Sequence, residues 1–139
     1  MNEQSVRSAR LSRASGFTLM EMMIVMTLIV ILAGIGLSVY GNSVQRSKEA
    51  VLKEDLFQMR DAIDQYYADK NKYPASLADL VSEKYLRSVP MDPFTASTES
   101  WQTTMSEPDP SNPSLQSGIS NVKSGSEQTG LDGSRYADW

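Results

Sequence analysis

Between Phe17 and Tyr40 the chain reads FTLMEMMIVMTLIVILAGIGLSVY, an apolar run interrupted by one charge, Glu21. A helix of roughly 20 such residues crosses a hydrocarbon core of about 30 Å. This stretch therefore belongs in lipid or against other apolar helices, and the rest of the chain must be built after it. An ordinary secretory signal has a shorter apolar region followed by small residues at its cleavage point. Here Ala14, Ser15 and Gly16 come before the run instead, which argues against cleavage on its far side.

Charge is placed unevenly around this run. Residues 1–16 carry Arg7, Arg10 and Arg13 against Glu3, a net +2, and the remainder of the 139 residues holds −6 of the total −4. A basic flank ahead of an apolar helix is the signature of the cytoplasmic side, and an acidic remainder argues against binding a phosphate backbone. The chain has neither cysteine nor histidine. A disulfide framework, a thiolate metal site and a histidine-based triad are excluded, and the commonest general base is missing. These absences point away from an enzyme. No G-x-x-x-x-G-K-[ST] phosphate loop is present, so any work driven by a nucleotide must be supplied by another protein.

Glu21 is the residue that asks for an explanation. An ionised carboxylate inside a lipid-facing helix costs several kcal/mol unless paired, so about one turn into the run it calls for a positive partner. The residues alone also allow a carboxylate that snorkels to the membrane edge of a simple anchor.

The segment Gly16, Phe17, Thr18, Leu19 and Glu21, reading G-F-T-L-x-E behind a basic leader, resembles the processing signal of type IV pilins and type II secretion pseudopilins. In that family a prepilin peptidase cuts between the glycine and the phenylalanine and methylates the new amino group. The resemblance implies Gly16 as the last residue of the leader and Phe17 as the first mature residue. It also implies that Glu21 pairs with the Phe17 amine of a neighbouring protomer, setting the register of a homopolymeric filament. Gly34 and Gly36 weaken the helix late in the run; they fit either a stretch that melts in filaments of this family or ordinary small-residue packing.

Beyond Tyr40 the helical period continues. Leu52, Leu56, Met59, Ile63, Tyr66 and Tyr67 follow steps of four, three, four, three and one, one face of an amphipathic helix. Lys48, Lys53 and Arg60 are expected on the opposite, solvated face, with Glu49 pairing weakly with Lys53. The helix should end near Asn71, because Tyr73 precedes Pro74. Ser76 is a candidate N-cap for a short helix over Leu77–Lys84, with Asp79 in the capping-box position and Leu77, Leu80 and Val81 turned to the long helix. Tyr66, Tyr67, Tyr73 and Tyr85 read as head core or collar. QYYADKNKYPASLADL and YLRSVPMDPF resemble segments of the major pseudopilins. In the second, Pro90, Asp92 and Pro93 set a turn and Phe94 closes the core.

Residues 95–139 are rich in turn formers. Short strands are expected around Trp101–Met105 and Ile119–Val122, with an exposed loop over Ser106–Ser117. The tail SGSEQTGLDGSRYADW resembles the C-terminal loop of major pseudopilins, where calcium pins the segment. The resemblance implies ligands from the acids Glu127 and Asp132 and from the carbonyls of Ser124 and Leu131, with Asp138 able to replace either acid; the residues alone equally allow a solvated loop without metal.

The expected architecture is α+β: a leader over 1–16, a membrane or filament-core helix over 17–40, its amphipathic continuation over 41–71, and a head over 72–139 with a small antiparallel sheet. The expected role is a filament subunit, the major pseudopilin of type II secretion, rooted in the bacterial inner membrane with its head in the periplasm. Its implied partners are copies of itself, the prepilin peptidase, an inner-membrane assembly platform and minor pseudopilins. A type IV pilus or competence pilin is the alternative, and only there would nucleic acid enter. A membrane-anchored periplasmic enzyme or binding protein is the reading from another class.

Overall fold

The structure is a computed structural model that describes residues 16–113 and 116–139. The leader expected over residues 1–16, with Arg7, Arg10 and Arg13, lies outside them apart from Gly16. The elements are α1 (Leu19–Lys70), α2 (Leu77–Ser82), β1 (Gln102–Met105), β2 (Ile119–Lys123) and a 3-10 turn at Tyr136–Asp138. The chain divides into two compact units, one ending at Ser38 and one formed by Val39–Trp139.

In the first unit the apolar run is helical from Leu19, and every described residue of it is exposed. Leu19 and Leu37 keep 81% and 75% of their surface open. The helix passes through Gly34 and Gly36 without a break, and nothing lies within 4 Å of where a Cβ would stand on either. The hydroxyl of Thr27 donates to the carbonyl of Met23 at 2.8 Å. That bond satisfies the hydroxyl within the helix, as an apolar surrounding requires.

The second unit is built on the amphipathic part of α1. Leu52, Leu56, Met59, Ala62, Ile63 and Tyr66 form its buried face. They pack with Leu80 of α2, Trp101, Ile119 and Val122 of β2, and Tyr136. α1 stops at Lys70, where Asn71 adopts a left-handed φ of 51° and the chain bends through Lys72 before Pro74. α2 carries the expected capping box: Ser76 accepts from the Asp79 amide and the Asp79 carboxylate accepts from the Ser76 amide. It is shorter than expected, ending at Ser82, since Lys84 turns to φ 65°.

The sheet has two strands, β1 antiparallel to β2, with Thr103 opposite Val122 and an irregularity at Thr104/Met105. Only β2 turns residues into the core; β1 is exposed throughout. The intervening loop is closed at its neck, where the Ser106 amide donates to the Gly118 carbonyl at 2.7 Å and the Gly118 amide to the Ser106 hydroxyl at 3.2 Å. Gly118 and Gly125 are held to glycine by close approach. A Cβ on Gly118 would lie 2.6 Å from the Tyr73 carbonyl oxygen, and one on Gly125 would overlap the Ser100 carbonyl.

Two expectations about the solvated face of α1 are corrected. Arg60 is half-buried, and its guanidinium donates to Asn121 Oδ1, the Val122 carbonyl and the Trp139 oxygen at 2.9, 2.9 and 2.8 Å. Its long stem lets it leave the solvated side and reach the sheet edge. Glu49 does not answer Lys53; its Oε1 accepts from the C-terminal loop, while Lys53 lies 4.6 Å over the ring of Trp139. The tyrosines divide. Tyr66 is buried and meets Tyr85 edge-on at 5.4 Å, whereas Tyr67 is exposed and stacks on Tyr73 at 4.5 Å.

Candidate functional site

The first candidate is the start of α1. Phe17 lies just ahead of the helix and is 77% exposed, and Thr18 immediately precedes the helix. The Thr18 hydroxyl accepts from the Glu21 amide at 3.1 Å, and its carbonyl takes the amide of Met22. Thr18 thus acts as the N-cap and fixes where the helix begins, satisfying one of the amides that a helix start leaves open. Glu21 stands in the first turn, where the positive end of the helix dipole favours a negative charge. Gly16, Phe17 and Glu21 therefore lie together at one helix end, exposed with the apolar residues that follow. The cap was missed by sequence reasoning, although Thr18-Leu-Met-Glu21 has the S/T-x-x-E spacing that announces it.

The second candidate is the C-terminal loop. Gly130 and Ser134 are joined by a 2.7 Å backbone bond, with Gly133 at φ 85° donating to the Gly130 carbonyl. Asp132 Oδ1 accepts from the amide and hydroxyl of Ser134 at 2.9 and 2.6 Å. Those bonds, hydroxyl first, hold the Asp132 carboxyl below the usual carboxylate range. Ser124 is fully buried, and its hydroxyl donates to Asp92 Oδ2 at 2.5 Å. Asp92, also fully buried, takes the amides of Phe94 and Thr95 on its other oxygen. This aspartate knits the Pro90–Phe94 turn to the chain after β2.

The acids implied as calcium ligands are not gathered into one cluster among the described residues. Asp132 Oδ1 is engaged with Ser134 and Glu127 is exposed, while the bonds of the Ser124 hydroxyl to Asp92 and of the Leu131 amide to Glu49 do not involve the carbonyls implied as ligands. Asp138 is turned to Arg135, with oxygens 3.3 and 3.4 Å from its guanidinium. Among the described residues no group of three acids stands close enough to hold a metal, and no buried side-chain polar atom lacks a partner. Calcium wants six to eight converging oxygens, and the acid side chains here do not supply such a cluster by themselves.

Comparison with known proteins places the N-terminal segment in a family. The prokaryotic N-terminal methylation motif matches residues 11–37. Fimbrial protein EcpC of Eikenella corrodens is 39% identical over 79 residues, 53% of this chain and 52% of that protein. The chain thus spans about half the length of that relative. Type II secretion system core protein G of Klebsiella pneumoniae is 30% identical over 101 residues, covering 60% of this chain and 71% of the relative. Its counterpart in Aeromonas hydrophila is 28% identical over 98 residues, covering 59% and 68%. No solved structure matches. With a capped apolar helix, an acid in its first turn and a small α+β head behind it, the chain belongs to the pilin-like family of the type II secretion core protein G, the major pseudopilins.

Proposed function

We propose that this chain is a structural subunit of a pilin-like filament, the major pseudopilin of a type II secretion system, and that it catalyses no reaction. The observation that carries the reading is an apolar helix exposed along its whole run, with one acid, Glu21, in its first turn. Such a surface is stable only in lipid or against identical helices. Cleavage after Gly16 would free the Phe17 amine. Carried by the next protomer, that amine supplies the cation Glu21 needs in an apolar filament core. The precursor sits in the inner membrane with its basic leader in the cytoplasm and its head outside. A prepilin peptidase trims and methylates it, and an assembly platform, minor pseudopilins and a separate ATPase complete the machine.

Mass spectrometry of the mature protein is expected to find methylated Phe17 at the N-terminus. Glu21→Ala is expected to leave the protein in the membrane but abolish filaments in electron micrographs and crosslinking ladders. An untrimmed Met1, or normal polymers from the variant, would overturn the reading.

The match to a fimbrial protein favours a second reading, a type IV pilus subunit. Deleting the gene separates the two: loss of secretion of folded exoproteins with intact twitching supports the pseudopilin, and the reverse outcome supports the pilus.

A further inference from the structure

We propose that Glu49 is the fastener of the C-terminal loop, a side-chain clasp that closes residues 127–136 onto α1 without a divalent cation. Glu49 is half-buried on α1, and its Oε1 accepts the Leu131 amide and the Tyr136 hydroxyl, each at 2.8 Å. Gln45, one helical turn earlier and hence on the same face, donates to the Tyr136 hydroxyl at 2.9 Å and to the Thr129 carbonyl at 3.3 Å. Two side chains of one helix face therefore grip the loop at residues 129, 131 and 136.

The loop is shaped to receive them. Gly130 brings its backbone so close that a Cβ there would lie 3.2 Å from Glu49 Oε1 and 3.0 Å from Asp132 Oδ1. Tyr136 is fully buried, stacked on Phe94 at 4.0 Å and edge-on to Trp139 at 4.9 Å. Its hydroxyl is thereby fixed in reach of Glu49. The clasp needs no metal to close it: Glu49 Oε1 is met directly by an N–H and an O–H donor from the loop, where a cation would instead gather oxygen acceptors. Asp132 Oδ1 is engaged inside the loop by the amide and hydroxyl of Ser134. Charge-assisted bonds of this kind are about twice as strong as neutral ones. The inference does not depend on the filament reading.

Hydrogen exchange read by mass spectrometry on the full chain in detergent micelles tests it. In the unsubstituted protein, protection of the 127–136 segment is expected to be the same with excess EGTA and with excess calcium chloride. In Glu49→Ala the exchange of that segment is expected to rise about tenfold or more, with α2 and the strands still protected. Tyr136→Phe keeps the ring on Phe94 while removing the hydroxyl. It is expected to raise exchange in the same segment by a smaller factor, and it decides the matter if Glu49→Ala fails to fold. Loss of protection on adding EGTA, added protection on adding calcium, or unchanged exchange in both variants would overturn the proposal.

Discussion

A carboxylate half out of water beside another carboxylate gives up its charge more readily, and Asp55 on α1 is such a group. Burial first, then the charges of Asp92 and Glu54, raise its pKa above the ordinary 3.8. The folded chain thus holds this proton more tightly than the unfolded one. Its contribution favours folding below the ordinary value and is lost as pH rises through the raised one. Asp55→Asn is therefore expected to raise Tm by a few degrees at pH 7, with the gain shrinking as the pH is lowered toward 4, read by circular dichroism melts. Asp132 has the opposite sign. The Ser134 hydroxyl and amide lower its pKa, so its contribution is present above the ordinary value and fades as pH falls through the lowered one. Asp92 shows how a carboxylate is tolerated with no exposed surface: three donors, Ser124, Phe94 and Thr95, meet its two oxygens.

At the scale of elements, α2 is a six-residue helix too short to hold itself in water. It depends on its capping box and on Leu80, which is fully buried. Ser76→Ala is expected to cost about 1 kcal/mol, measured by urea unfolding, because it strips the acceptor from the Asp79 amide. Much at this scale was legible from residue order. The step pattern from Leu52 to Tyr67 named the buried face of α1 up to Tyr66, its last member Tyr67 being exposed; Tyr73-Pro74 marked the helix end, and the strand positions came within a residue of β1 and β2. What stayed hidden shares one cause. Hydrophobic period says which side of a helix is apolar, but not which distant backbone group a long polar side chain will reach. Arg60 and Glu49 looked like surface charges for that reason, yet they meet groups 61–87 residues away. Gly125 gave no sign in the sequence that it lies against Ser100. Gly16, Phe17 and Glu21 could be singled out because a motif fixes their spacing, and they lie together at the start of α1; oxygen ligands in a loop carry no strict spacing and give a weaker signal.

At the scale of the whole molecule, the chemistry is divided between its two units: every described residue of the first is exposed and the second holds the core. Among the described residues, every member of the apolar core falls within Val39–Trp139, so the head's stability is set apart from the exposed apolar helix. Within that head, the paired bonds between Ser106 and Gly118 carry a consequence for how freely the chain can vary. They fasten both ends of the β1–β2 connection, and the exposed residues from Glu107 to Asn112 lie beyond them. Extra chain spliced in past that fastening adds only closure entropy, about 0.6 kcal/mol for each doubling of length. A ten-residue glycine-serine insert between Glu107 and Pro108 is thus expected to leave Tm within a few degrees, as scanning calorimetry would register. The connection is a natural graft point, where an epitope or fluorophore can ride on the head while the register between the strands is kept.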